Sequence, residues 1–371
     1  TLYPGDRIQA MTIDRRARFQ GGSGAAPAAR TLTRRTVLLS TGAALAAGSA
    51  STLLPGCGGG SGAGDANFTF LAVVPFTSLT FAPEMFADAA GYFADLGLEF
   101  ETQSTRGSAQ AVQLVLSGGA PITRIGQIEA VSHIANRQAP IVNVSTVVKE
   151  STIRIVSSTA DPLEEPADFV GKLIGIPSEG GESETTLDLL LASAGIDVDS
   201  VERQVVGLGP GVFDLVRQGR IAAFIVSVDT ANILANQTDE VVLLRPGDFI
   251  DAGSQLYMTS AEQYQTEQDR VTRYLQAIRA AIDFIVADDG FDRTLETIRS
   301  KYNFGTLENA AVAKASLREY VRSWTIAGDE LIMRTDAGRW RAGYEELVAA
   351  GLIAGGLDPD AWFTNELAPT A

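Results

Sequence analysis

The sequence predicts an α/β fold in two lobes, each a mostly parallel sheet flanked by helices, on three observations. Short apolar runs alternate with helical patterns from Phe68 to Leu244, the order that builds parallel strands. Leu114-Val115-Leu116-Ser117-Gly118 returns 101 residues later as Leu215-Val216-Arg217-Gln218-Gly219, and eight residues after each glycine a strand ends, at Gly126 and Ser227. The two halves therefore repeat one another. At 371 residues the chain also outgrows the roughly 250–300 residues at which a single core stops growing.

Each element follows from its pattern. FTFLAVV (68–74) is an apolar strand, APEMFADAAGYF (82–93) a helix with a turn after it at Gly97, and LEFETQ (98–103) a strand. GSAQAVQLVLSGG (107–119) is a helix, PITRIG (121–126) a strand and QIEAVSHIANRQ (127–138) a helix. IVNVSTVV and TIRIVSS are two further strands, followed by the acidic, proline-bearing link ADPLEEPADF. The second series runs KLIGIP (172–177, strand), ESETTLDLLLASAG (helix), VERQVV (201–206, strand), PGVFDLVRQG (210–219, helix), IAAFIVS (221–227, strand), DTANILANQ (helix) and VVLL (241–244, strand). From about Ser260 long helices take over: AEQYQTEQDRVTRYLQAIRAAIDFIVA, LENAAVAKASLREYVRSW and GRWRAGYEELVAAG. Val271, Leu275, Ile278, Ile282 and Ile285 recur at three- and four-residue spacing and mark a face for burial against the first lobe.

Composition excludes several functions. A formal net charge of −16, with no basic run beyond the first 35 residues, argues against nucleic acid, whose phosphates require clustered Lys and Arg. One cysteine and one histidine preclude an intramolecular disulfide and a Cys/His zinc cluster, and any Ser–His or Cys–His relay would have to use His133. His133 lies in a helical pattern and reads as a structural histidine, so neither a catalytic residue, a metal nor a cofactor is expected. The chain reads as a binder rather than an enzyme.

Residues 1–56 read as an export signal. Arg34-Arg35 precede an uncharged apolar stretch from Val37 to Leu54, which glycines and hydroxyl residues weaken as a membrane span. Thr33-Arg34-Arg35-Thr36-Val37-Leu38-Leu39 resembles the twin-arginine export consensus, and Leu54-Pro55-Gly56-Cys57 resembles a bacterial lipobox. On this reading Met11 is the start, residues 1–10 are upstream read-through, and Cys57 carries a lipid that anchors the protein to the membrane. Residues 57–67, rich in Gly and Ser, form a flexible tether.

The segments GKLIGIPSEGGESETTLDLLLASAGID, VVGLGPGVFDLVRQGRIAAFIVS and YMTSAEQYQTEQDRVTRYLQAIRAAIDFIV, in that order, resemble the solute-binding proteins of bacterial ABC importers. The late segment WRAGYEELVAAGLIAGGLDPDAWFTNELA is similar to the pattern that closes that family. The resemblance covers roughly 68–367 and is nearest to the branch that binds alkanesulfonates, taurine, nitrate, riboflavin and the thiamine pyrimidine precursor. It implies a periplasmic-binding-protein-like type II fold: lobe 1 over 68–150, lobe 2 over 151–250, and a return to lobe 1 with the C-terminal helices over 251–371. The hinge crossovers are expected near 145–158 and 245–258. It also implies a monomer on the outer face of the cytoplasmic membrane, handing a small molecule to an ABC permease.

Independently of the resemblance, ligands in open α/β sheets bind beyond the carboxyl ends of strands, where helix N-termini face outward. That rule selects five turns. The first offers Phe76, Thr77 and Ser78; the second Ser104, Thr105, Arg106 and Ser108; the third Gln127 and Glu129. The fourth offers Ser178, Glu179 and Glu182, and the fifth Ser227 and Asp229. Each has a plainer reading: aromatics fill cores, hydroxyls cap helices, and carboxylates favour helix N-termini. The turn Ser178-Glu179-Gly180-Gly181 is not a phosphate loop, since no Lys-Ser or Lys-Thr follows its glycines.

Glu179, on the strand side of the glycines, is the acid most expected to face the cleft, while Glu182 and Glu184 suit capping. Carboxylates beside a bound anion cost several kcal/mol unless compensated, which favours a neutral or amine-bearing solute such as a pyrimidine or other N-heterocycle. Arg106 and backbone N–H groups leave sulfonate, taurine or nitrate as the alternative. A ligand sensor for a membrane signalling partner is a further alternative. Fungal pyrimidine synthases of the same fold carry His- and Cys-rich motifs that this chain lacks.

Overall fold

A computed structural model describes residues 66–370; the expected export signal, the expected lipid site Cys57 and nearly all of the expected tether lie outside the described residues. The first series forms β1 (Asn67–Ala72), α1 (Ala82–Ala89), α2 (Tyr92–Asp95), β2 (Glu99–Ser104), α3 (Ser108–Leu116), β3 (Ile122–Gly126), α4 (Gln127–Arg137) and β4 (Ile141–Val148). The second forms β5 (Ile153–Ser158), β6 (Leu173–Ile176), α5 (Glu182–Ser193), β7 (Glu202–Val205), α6 (Phe213–Arg217), β8 (Ala223–Ser227), α7 (Val228–Gln237) and β9 (Val241–Leu244). Then follow β10 (Gln255–Ser260), α8 (Ala261–Thr266), α9 (Gln268–Ala287), α10 (Asp292–Arg299), α11 (Gly305–Glu308), α12 (Ala310–Thr325) and α13 (Ala337–Ala349).

Three helices that the pattern predicts as continuous are interrupted. Gly91, left-handed at φ 83°, separates α1 from α2. Glu267 separates α8 from α9. Asn309 separates α11 from α12 and caps the latter, accepting from the N–H groups of Ala311 and Val312, a standard N-cap role for its amide oxygen.

The sheets have matching strand orders, β2-β1-β3-β10-β4 and β7-β6-β8-β5-β9. In the first, β1 is parallel to β2 and β3, while β10 runs antiparallel to β3 and β4. In the second, β6 is parallel to β7 and β8, while β5 runs antiparallel to β8 and β9. Each sheet thus receives, in its fourth place, the strand that has just crossed from the other. The crossovers, between Val148 and Ile153 and between Leu244 and Gln255, touch at Gly253. A Cβ there would lie 2.6 Å from the backbone nitrogen of Ser151, closer than real Cβ contacts come, so glycine is required.

Lobe 1 buries an aromatic core. Phe68 stacks on Tyr274 at 4.7 Å between ring centroids, and Phe93 on Phe100 at 4.2 Å, offset-stacked contacts that contribute beyond their buried area. The α9 face marked by its spacing packs here, with Val271, Leu275, Ile278, Ile282 and Ile285 all buried. Lobe 2 is mainly aliphatic, with Leu187, Leu189, Leu190 and Leu191 of α5 buried against Ile174, Ile176 and Ile225. The late helices reach both lobes: α12 packs on α7, and α13 on α4 and α5.

Candidate ligand-binding cleft

A cavity of about 400 Å³ lies between the carboxyl ends of the two sheets, within the range of small-molecule sites. Lobe 1 contributes the turn after β1 and the start of α3; lobe 2 contributes the turn after β6 and the β8–α7 turn. Thr152, Ile153 and Gln255 at the hinge line it too, with Thr306 and Tyr320 from the C-terminal helices. Much of the remaining lining is apolar, including Val73, Pro75, Pro177, Leu208 and Ile233.

Of the residues selected from the sequence, the cavity gathers Thr77, Ser78, Ser108, Ser178, Glu182, Ser227 and Asp229. The other seven lie elsewhere. Phe76 stacks on Phe81 at 4.8 Å and packs on the lobe 1 core. Ser104 and Arg106 are exposed, and the Arg106 N–H donates to Gln110 Oε1. Thr105 is spent locally, its hydroxyl donating to the carbonyls of Ala72 and Gly107. Gln127 is buried, donating to the Trp340 carbonyl (3.1 Å) and accepting from Ser254 Oγ (2.6 Å). It thereby ties α13 to the second crossover. Glu129 is buried outside the cavity lining. Glu179, expected to face the cleft, is exposed, and Glu182, assigned to capping, lines the cavity instead.

The guanidinium lining the cavity belongs to Arg124 on β3. Its Nη1 donates to both carboxylate oxygens of Glu84 (2.9 and 3.2 Å), and its Nη2 to the carbonyl and hydroxyl of Thr80 (2.7 and 3.0 Å). It also sits over the Phe81 ring at 4.6 Å. Tyr257 on β10 donates to Glu84 Oε1 at 2.8 Å. Burial raises the Glu84 pKa while Arg124 pulls it down; burial alone would lower Arg124, and the Glu84 charge together with Tyr257 and Tyr274 outweighs it. The pair is thus a neutral unit within the wall. The sequence signal for it was a carboxylate on the buried side of α1, where Pro83, Met85 and Phe86 are also buried.

Acids from both lobes meet across the seam. Asp229, in the first turn of α7, accepts on Oδ2 from Ser78 Oγ (2.6 Å) and from the Leu79 N–H (2.7 Å). Burial pushes its pKa up and these donors pull it down. Glu129 of α4 accepts from Thr185 Oγ1 of lobe 2 at 2.7 Å, and Glu182 of α5 from Gln255 Nε2 of lobe 1 at 3.4 Å. Both carboxyls converge on Gly126, where a Cβ would lie 2.4 Å from Glu129 Oε2 and 3.1 Å from Glu182 Oε1. Burial, and then the neighbouring Glu182, push Glu129 up to about 8, and burial raises Glu182 as well. Two neighbouring carboxylates, one of them buried, cannot both ionise cheaply, which favours a protonated Glu129 at neutral pH.

The cavity wall therefore combines apolar surface, hydroxyls and carboxyl groups with a guanidinium whose charge is already matched. Residues 78–289, more than half of the chain, match the model of a family described as NMT1/THI5 like. The chain is 25% identical over 310 residues to the riboflavin-binding protein RibY of Chloroflexus aurantiacus, covering 81% of this chain and 85% of that one. It is 24% identical over 184 residues to a formylaminopyrimidine-binding protein of Halalkalibacterium halodurans, covering 49% of this chain and 54% of that protein. Among solved structures, the periplasmic aliphatic sulphonate binding protein SsuA of Escherichia coli superposes with a TM-score of 0.61 at 14% identity, over 80% of this chain and 96% of its own. That likeness is one of fold: two lobes around a cleft.

Proposed function

This chain belongs to the NMT1/THI5-like family, and from that premise we propose that it is the solute receptor of an ABC importer. Its solute is a small N-heterocycle, neutral or amine-bearing, held between the lobes. The observation that carries this reading is the charge of the cavity: Glu182 and Asp229 line it, and its guanidinium is neutralised by Glu84. An anion entering there would meet carboxyl groups and no uncommitted cation among the described lining residues. The relatives that bind riboflavin and a formylaminopyrimidine support the same class of solute.

The mechanism follows from the seam. A solute touching both lobes makes more contacts closed than open, and only that difference in affinity can shift the hinge equilibrium toward closure. Asp229, Glu129 and Glu182 already join the lobes by hydrogen bonds, so the solute adds to a seam built by the protein. Anchoring through Cys57 would hold the receptor beside a permease on the outer face of the cytoplasmic membrane.

Thermal-shift measurements on the domain from residue 66 onward, with riboflavin, aminopyrimidines, taurine, an alkanesulfonate and nitrate, test the reading. A specific solute at a hundredfold excess over Kd stabilises by about 2.7 kcal/mol. Stabilisation by the heterocycles is expected; stabilisation by the sulfonates or nitrate alone would overturn the assignment of solute class.

A further inference from the structure

The two carboxyl groups that line the cavity differ in what they still have to give. Asp229 is spent within the wall: Oδ2 accepts from Ser78 and from the Leu79 N–H, and Ser316 and Tyr320 act on the carboxyl as further hydrogen-bond donors. Glu182 is half-buried at the hinge end of the cavity, beside Gln255, whose Nε2 reaches its Oε1 over a long 3.4 Å. The Glu182 Oε2 takes no donor from the described residues, and unlike Glu129 Oε2 it is not sealed from solvent. The Arg124 guanidinium acts on it only through space, being committed to Glu84 and Thr80. Glu182 also opens the twelve-residue α5, whose dipole favours a carboxylate there. Burial, and then the Glu182 charge, raise Glu129 to about 8. Glu129 therefore keeps its proton, and Glu182 is the ionised neighbour, an acceptor only. A carboxylate in a largely apolar cavity, with neither a cation nor a full set of donors, is costly until something completes it.

We infer that Glu182 is the specificity residue of the cavity, and that its Oε2 accepts an N–H from the exocyclic amino group of an amino-substituted N-heterocycle. Ring nitrogens draw electrons from such an amino group, so it brings both the donor and the positive potential that the wall lacks. An oxygen acceptor in its place would meet the carboxylate acceptor to acceptor. This rests on the cavity being a solute site, and it narrows that reading to one group of the solute, placed at the hinge end. Sites built to pair a polar hydrogen discriminate steeply against analogues that lack it, because the site's own group is then left unpaired. The two lining acids thus divide the work: Asp229 holds the lobes together across the seam, and Glu182 reads the solute.

The test compares an aminopyrimidine with the methylpyrimidine substituted at the same ring carbon by calorimetric titration, with riboflavin and taurine alongside. The methyl group matches the amino group in size but has no polar hydrogen, so the amino compound is expected to bind at least about tenfold more tightly. Glu182→Leu removes the acceptor, and the preference should shrink to within about twofold. Glu182→Ala removes the same acceptor and reads the same change should the leucine variant fail to fold. Glu129→Gln, a neutral replacement outside the cavity lining, should keep the preference. Equal binding of the two pyrimidines by the wild type, or a preference that survives the loss of Glu182, overturns the inference. So does an equal loss of preference in Glu129→Gln, since the two acids and not Glu182 would then set it. Binding of riboflavin without either pyrimidine, or of taurine alone, overturns this inference while leaving a solute receptor; no binding by any of these probes overturns both readings.

Discussion

Residues 101 apart in the two lobes occupy the same structural positions and carry different chemistry. Gly118 and Gly219 close their helices with left-handed backbones (φ 73° and 65°), and the next residue's N–H returns to Leu114 in one lobe and Leu215 in the other. Ile122 pairs with β1 at Phe70, and Ala223, 101 residues on, pairs with β6 at Ile174. Gln127 N–H donates to the carbonyl of Ser254 in one crossover, and Val228 N–H to that of Thr152 in the other. Yet at the matched strand position lobe 1 has Arg124, locked to Glu84 and Thr80, and lobe 2 has Ile225. At the matched helix start, lobe 1 has Gly126, which leaves room for two carboxyls, and lobe 2 has Ser227, which caps its helix. The backbone is duplicated; the polar groups that make a site are not.

The largest expected difference between the lobes lies at Arg124 and Ile225. Arg124→Met strands a fully buried carboxylate and should cost about 3–5 kcal/mol in urea unfolding, with partial recovery in the Arg124→Met/Glu84→Gln double variant. Ile225→Val at the matched position should cost only about 0.5–1.5 kcal/mol. Equal losses would mean that the ion pair contributes nothing special to lobe 1.

The carboxyl pair comes next. Glu129 has a folded-state pKa of about 8 against an ordinary 4.5, so the folded protein holds a proton that the unfolded chain releases. Its contribution is complete below about pH 4.5 and disappears as pH rises through about 8. Stability should therefore fall by up to about 1.4 kcal/mol per pH unit within that window. Thermal melts from pH 5 to 9 should show this slope in the wild type and a flatter profile in Glu129→Gln; parallel profiles would refute a proton held on Glu129.

The smallest difference concerns the helix starts. Gly126→Ala drives a methyl group into Glu129 and Glu182 and should cost about 1–3 kcal/mol, relieved when Glu129 is shortened to Ala. Ser227→Ala loses only a long 3.5 Å cap, at most about 1 kcal/mol. Thermal melts of the two variants give the ranking, and the reverse order would undo the comparison.

The alternation of strands and helices was legible because each element writes its own period: ITRIG and AFIVS read as buried strands without any knowledge of their partners. The turns that face the cavity were legible for the same local reason, which is why Ser78, Ser178, Ser227 and Asp229 could be selected. What joins them was not. Asp229 meets Ser78 across 151 residues, and Arg124 meets Glu84 across 40, and no local period records such pairings. Glu179 and Glu182 share one turn, and only the course of the chain through Gly180 (φ 65°) decides which of them reaches the cavity. Tyr320 lies in a segment that reads only as a helix, with nothing to mark that the residue borders a cavity.

The strand order also fixes a sequence of events in time. All five strands of the second sheet lie between Ile153 and Leu244, whereas the first sheet has a gap between β3 and β4 until Gln255–Ser260 arrives. A ribosome adding roughly 5–20 residues per second delivers the whole of lobe 2 while lobe 1 still carries two unpaired strand edges. Such edges invite foreign strands, so the half of the protein made first is the half completed last, and the newborn chain is most exposed to mispairing in the seconds before Ser260 emerges.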